Sequence, residues 1–353
     1  MQTQKFTMSD RVITIKEIAR QAALSIGTVD RVLHGRGRFS KKTEAKIKTI
    51  IKNTGYRPNI HARNLSLQST HEFGVIIPFS ERDSDYWEIL QKGINRATGE
   101  LSSFNVHRHF FFFSRYAEDS FKEACTKALE KKIGGLIIAP VLLDACRSFV
   151  ESLPPGIPFV YVDSTIPGTT PLACIGQNSR QSGICAARLM QMLVGKECDV
   201  AVMRMMPNDF HINERVEGFC SYAAEKKSMR VHVFDVNGSC DDTVFAAQVK
   251  SITDEIVHCK GLFVTNAAAY RVVKALRSNK CAGMRIIGYD CIEQNRLFLT
   301  EGFIDFIISQ NTEQQGYMAI NTLFRHLVLK ESCVREIRLP IDIVMAENVS
   351  DQR

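Results

Sequence analysis

The sequence predicts a small all-α head followed by an α/β body of two lobes, each a doubly wound parallel sheet. Three observations predict it. Charge is split: residues 1–70 hold 14 Lys/Arg against 4 Asp/Glu (+10), and the other 283 residues hold 31 against 34 (−3). Apolar residues in the first part recur at helical spacing between short breaks. From Phe73 onward, short continuous apolar runs alternate with amphipathic stretches, the pattern of parallel strands covered on both faces.

In the head, Thr14-Ile15-Lys16-Glu17 fits a capping box, followed by an apolar face of Ile15, Ile18, Ala19 and Ala22. Ala23-Leu24 forms a tight break. Ser25 then caps a second helix, Ile26 to Leu33, with Val29, Val32 and Leu33 on its inner face. After a Gly/Arg loop, Ser40 caps a third helix running to Thr54, with Gly55 at its end and Pro58 beyond. Two short helices joined by a few residues and backed by a third form a helix-turn-helix. Its second helix is expected to enter a DNA major groove by Ile26, Gly27, Thr28 and Arg31. Arg31 could read a guanine, and Arg36, Arg38, Lys41, Lys42 and Lys46 could hold phosphates.

The segment from Ile13 to Pro78, with its G-Y-x-P-N…A-R-x-L ending, resembles the N-terminus of the lactose/galactose-repressor family. The resemblance implies that Asn59 to Ser66 is a hinge that becomes helical on operator DNA. Leu65 would wedge between base steps in the minor groove, beside Asn59, Ala62 and Arg63. It also puts Thr14, Ser25 and Asp30 among the DNA-contacting positions. Gly27 and Asp30 depart from the family's usual residues, so no operator sequence carries over.

In the body, candidate strands are 73–78, 107–113, 135–140, 158–163, 199–204, 231–236, 261–266, 285–290 and 306–310. Helices are expected at 119–131 and 181–193, among others. Ligands in such folds sit beyond the carboxyl ends of the strands. Asp163, Asn266, Asp290 and Gln310 lie at those ends, Tyr86 and Trp87 follow the first strand, and Arg215 opens a helix. Carboxylates, amide and arginine with aromatics suit a polyhydroxylated ligand. The body is similar to the periplasmic sugar-binding fold (type I) of that family. The resemblance implies ligand contacts at Arg215 (E-R-V-E-G-F) and Asp290 (I-I-G-Y-D), and also at Asp163, Asn266 and Gln310. Asn266-Ala267 departs from the family's Asn-Asp. Simpler roles stay open: turn caps for the aspartates, a surface ion pair with Glu214 or Glu217 for Arg215, core or interface packing for Tyr86 and Trp87.

The expected organisation is a DNA-binding domain at 11–57, a hinge and linker at 58–71 and a two-lobed ligand domain at 72–346. Lobe one would take about 73–176 and 310–338, lobe two about 177–309 and 339–346. The 11 cysteines, Cys125 to Cys333, show no C-x-x-C spacing, so no zinc site or disulfide framework is expected. His107 and His109 share a strand face without further metal ligands nearby in sequence. No cofactor, metal or catalytic residue is expected. There is no signal peptide or apolar run of membrane-spanning length, which points to the cytoplasm.

The functional expectation is a transcriptional regulator, a repressor, acting as a homodimer on pseudo-palindromic double-stranded operator DNA. A small effector, a sugar or sugar derivative bound between the lobes, would control it. The alternatives are a cytosolic α/β enzyme acting on a sugar or nucleotide, and a purely architectural DNA-binding protein. The phosphate-loop, dinucleotide and nucleophile-elbow glycine motifs that such enzymes use are not in the sequence.

Overall fold

The computed structural model describes residues 13–33, 39–54, 70–80, 84–227, 229–238, 241–276 and 283–351. The chain forms two compact units, Met1–Ser69 and Thr70–Arg353.

In the head, α1 (Ile15–Ala22), α2 (Ile26–Leu33) and α3 (Lys41–Thr54) enclose Ile18, Ala19, Ala22, Val29, Val32 and Ile47. Each helix starts on a hydroxyl that accepts a backbone amide. Thr14 Oγ1 takes Glu17 N (3.4 Å), Ser25 Oγ takes Thr28 N (3.2 Å) and Ser40 Oγ takes Thr43 N (3.1 Å). The break between α1 and α2 is tight because Ala23 takes a left-handed conformation, φ 53°. The Glu17 carboxylate pairs with Arg20, one turn along α1.

The body opens with β1 (His71–Pro78), α4 (Tyr86–Glu100), β2 (Val106–Phe113), α5 (Glu118–Glu130), β3 (Gly135–Ile138), α6 (Leu143–Glu151), β4 (Phe159–Val162) and β5 (Ala173–Gly176). The chain then crosses into the second lobe. There it forms α7 (Ser179–Val194), β6 (Cys198–Met205), α8 (Phe210–Lys226), β7 (Met229–Val236), α9 (Asp242–Ser251), α10 (Thr253–Ile256), β8 (Gly261–Val264), α11 (Ala269–Leu276), β9 (Arg285–Tyr289), α12 (Glu293–Thr300) and β10 (Phe306–Ser309). It returns to lobe one for α13 (Thr312–Leu327) and β11 (Glu336–Arg338). A last crossing brings β12 (Asp342–Val344) into lobe two.

The sheet orders are β2-β1-β3-β4-β5-β11 and β7-β6-β8-β9-β10-β12. All pairs are parallel except β10 with β12. Each order reverses direction between its first two core strands, the place where doubly wound sheets open a ligand crevice. Three strands, β5, β11 and β12, lay outside the expected set. β5 reads only Ala-Cys-Ile-Gly, too short for a periodic signal, and is a strand because β4 and β11 flank it. β11 is three residues long with two exposed side chains. The strand-like stretch Leu339–Met345 divides, its first residues crossing between lobes before β12.

One side chain joins the three crossings. Gln177 Nε2 donates to Ser309 O and to Pro340 O, 2.9 Å each. No helix among the described residues is long and apolar enough to cross a membrane.

Candidate functional site

The cavity between the lobes is lined by Tyr86, Trp87, Asp163, Arg215, Asn266, Asp290 and Gln310, all seven expected ligand residues. Asp163 and Asp290 each follow the fourth strand of their lobe in left-handed backbone, φ 69° and 65°. That turn swings the carboxylate off the sheet edge and into the crevice.

Arg215 is 1% exposed, so a surface ion pair with Glu214 or Glu217 is excluded; Glu217 faces Arg180 instead. Its Nη1 donates to Thr265 O (2.7 Å), its Nη2 to Gln310 Oε1 (2.6 Å), and its Cζ sits 3.9 Å above the Tyr289 ring. Gln310 Nε2 in turn donates to Asp290 Oδ1 (2.8 Å). The helix can bring Arg215 this deep because glycines let α7 and α8 touch. A Cβ on Gly183 would lie 2.0 Å from Arg215 O, and one on Gly218 would lie 2.0 Å from Arg180 O. Arg215 Nε has no partner and is buried.

Across the cavity, Tyr86 OH donates to Asp163 Oδ1 (2.9 Å), and its ring meets Trp87 edge-on at 4.9 Å. Burial first, then the nearby Asp163 and Asp290 carboxylates, push the Tyr86 phenol well above its usual range, so it stays a donor. Asn266 is partly committed to its own turn, Oδ1 accepting from Ala268 N (3.0 Å).

Among the lining residues that the sequence did not single out, four make polar contacts across the lobes. His211 Nε2 lies 3.6 Å from Asp163 Oδ2 across the lobes. Burial lowers its pKa to about 4 against the pull of Asp163, so the ring is neutral at pH 7. Arg115 Nη2 and Asp209 Oδ2 form a buried interlobe ion pair at 2.5 Å, and Tyr116 OH bonds Gly238 O, also across the lobes. A signal existed for both groups. His211 sits one helical turn before Arg215, and Arg115-Tyr116 follow the carboxyl end of β2. His109 pairs with Glu72 and His107 is exposed. Among the described residues no group of three or more His, Cys, Asp or Glu could hold a metal.

In the head, Val29 and Val32 of α2 are buried while Thr14, Ser25, Ile26, Gly27 and Arg31 are exposed, Ile26 at 45%. A side chain placed at Gly27 would meet open space. Thr28 and Asp30 are half-buried. Arg31 folds back, Nε to Gly27 O (3.1 Å) and Nη2 to Thr28 Oγ1 (3.4 Å). Lys41 and Lys42 are exposed at the start of α3. Arg36, Arg38, Asn59, Ala62, Arg63 and Leu65 lie outside the described residues.

Residues 73–331 match the periplasmic binding protein domain, and residues 14–59 match the lacI family of bacterial regulatory proteins. The chain belongs to the periplasmic binding protein domain family and carries a lacI-family head. Catabolite control protein A of Staphylococcus aureus (strain Mu50) is 30% identical over 125 residues, 35% of this chain and 36% of that protein. The match thus spans about a third of that relative's length. A crystal structure assigned as a LacI transcriptional regulator from Bacteroides fragilis superposes with TM-score 0.74 at 27% identity, covering 80% of this chain and 99% of that one. A sugar-binding protein of a sugar ABC transporter from Bacillus halodurans gives 0.67 at 24% identity, with 80% and 99% covered, and so shares the fold. Membership of this family points to a regulator rather than an enzyme.

Proposed function

We propose that the chain is a transcriptional repressor of the cytoplasm whose affinity for operator DNA is set by a sugar or sugar derivative held between the lobes. The observation that carries the reading is the meeting of Asp163, Asp290, Arg215 and Gln310 with Tyr86 and Trp87 around one interlobe cavity. Carboxylates accept from paired ring hydroxyls and the guanidinium donates to them. The indole covers the apolar face of a ring. Asn266 contributes at the rim of lobe two. The sugar-binding relative and the named regulators support the same class of ligand and of output.

The head is proposed to read DNA through Ile26, Gly27, Thr28, Asp30 and Arg31. Thr14, Ser25, Arg36, Arg38, Lys41 and Lys42 would hold phosphates. Asn59, Ala62, Arg63 and Leu65 would act in the minor groove, in a hinge at 59–66 that lies before β1 begins at His71. A homodimer would place two heads on one pseudo-palindromic site.

A thermal-shift screen of pentoses, hexoses and sugar phosphates tests the pocket, because a bound ligand stabilises the native state by mass action. One sugar is expected to raise Tm for the wild type and not for Asp290→Ala. It should also change the affinity for labelled operator. A sugar that stabilises both proteins equally would move the site elsewhere. A substrate consumed during incubation would favour the enzyme alternative.

A further inference from the structure

We propose that Gln315, a residue outside the cavity, positions the two cavity aspartates relative to each other. It is the fourth residue of α13 and 0% exposed, yet it does not line the cavity. The buried stripe of that helix runs Thr312, Gln315, Gly316, Ala319, Ile320 and Leu323, where an apolar side chain would pack without a polar cost. A primary amide placed there needs partners, and it has two of opposite kinds.

Gln315 Oε1 accepts from Asp163 N (2.9 Å), and Gln315 Nε2 donates to Gln310 O (3.1 Å). Flipping the amide would set N–H against N–H and oxygen against oxygen, so its orientation is fixed. The reach follows from helix geometry. Side chains lean toward the start of a helix, so a residue in the first turn of α13 reaches back over Asn311 to the crossing that carries Gln310. α13 is itself seated on lobe one, since a Cβ on Gly316 would lie 2.2 Å from Leu90 O of α4.

Gln310 is the residue whose side chain holds Asp290 Oδ1 (2.8 Å) and Arg215 Nη2 (2.6 Å). A continuous path of hydrogen bonds thus starts at the lobe-two carboxylate and passes through Gln310 and the Gln315 amide. It ends on the backbone of the lobe-one aspartate. Pairing alone does not call for it. Asp163 N already donates to Ile175 O (3.1 Å), so the second acceptor adds alignment rather than satisfaction. Lobe two fixes its own turn separately, Asn295 Nδ2 donating to Tyr289 O (2.9 Å) and Asp290 O (3.0 Å). Gln315 adds the tie between that turn and the one across the cavity. Groups that grip a ligand work only when their supports hold them to within about 0.5 Å. The effect on affinity rests on the sugar reading above; the tie itself needs no ligand.

The test compares the full wild-type chain with two variants. Gln315→Met keeps the volume and loses both bonds. Gln315→Glu keeps the acceptor and regains a donor only when its carboxyl is protonated. In sugar-free protein, Gln315→Met is expected to shift the Asp163 amide in ¹⁵N NMR. It should also shift Arg215 Nε, two links along the path. D-arabinose, D-ribose, D-glucose and D-galactose are then titrated well below Tm, where binding reports folded molecules alone. A sugar that binds the wild type should bind Gln315→Met about tenfold more weakly, with only a small fall in the urea midpoint. Relative to wild type, the loss in Gln315→Glu should shrink as pH falls and its carboxyl gains the proton that Gln310 O needs. The loss in Gln315→Met should stay flat. An unmoved Arg215 resonance would overturn the tie, whatever the sugars do. A lower urea midpoint with unchanged affinity would reduce Gln315 to packing and overturn its positioning role. Resonances that move as stated, with none of the four sugars bound by the wild type, would uphold the tie and count against the sugar reading instead. Should Gln315→Met not fold, the pH dependence of the same resonances in Gln315→Glu decides alone.

Discussion

The two lobes are copies of one topology, and the difference between them lies in what holds the same aspartate. Both sheets run through five parallel strands in the same order, and both fourth strands end on an aspartate with φ between 65° and 69°. Each aspartate amide donates to the fifth strand, Asp163 N to Ile175 O (3.1 Å) and Asp290 N to Ile308 O (3.0 Å). Both lobes also press two helices together at glycines: Gly183 and Gly218 join α7 to α8, and Gly93 and Gly316 join α4 to α13. The side chains diverge. Asp290 is braced by a relay inside its own half, from Thr265 O through Arg215 and Gln310. Asp163 is held by Tyr86 of its own lobe and faces His211 of the other. Shared topology thus places the carboxylate, while the neighbours decide whether it belongs to a rigid wall or to the joint between walls.

If lobe two is the rigid wall, its brace should matter most to stability. Arg215→Ala strands Thr265 O and Gln310 Oε1 in the interior and leaves space over Tyr289. It is expected to cost about 3 kcal/mol or more in urea denaturation. It should also remove any sugar response, so loss of response must be read beside the unfolding curve. A cost near zero would mean the relay is incidental.

The joint should instead show itself in pH. The His211 pKa falls from 6.5 to about 4 on folding because burial disfavours the charged ring. Between those values the unfolded chain binds the extra proton, so stability rises with pH across that window and is lost on acidification toward 4. The span is on the order of 3 kcal/mol, at about 1.4 per pKa unit. His211→Asn should flatten the slope between pH 4 and 6.5 in chemical denaturation. An unchanged slope would assign the acid sensitivity to other groups.

Smaller effects separate the two aspartates. Asp290→Ala loses a charge-assisted bond to Gln310 and is expected to cost about 2 kcal/mol. Tyr86→Phe removes only the phenol donor to Asp163 and should cost about 1 kcal/mol. Its ligand affinity should fall more than its stability does, measured by calorimetry with whichever sugar the screen returns. Reversal of the order between these two variants would make lobe one the braced wall.

How much of this was legible follows from how far each feature reaches along the chain. Thr14, Ser25 and Ser40 announce helix starts because a cap and its amide are three residues apart. The apolar runs announce strands, and the strand-end rule then picks out Asp163, Asp290 and Gln310, since in parallel sheets the carboxyl ends open on the crevice. The basic excess of the head needs no fold at all. Tertiary structure decided the rest. Arg115 and Asp209 are 94 residues apart, and Arg215 and Gln310 95, so no local pattern pairs them. β5 and β11 are strands because of their neighbours across the sheet, not because of their own four and three residues. His211 reads as one more polar residue on an amphipathic helix. Its lowered pKa comes from burial, and burial is set by lobes that meet only after the chain has crossed between them three times.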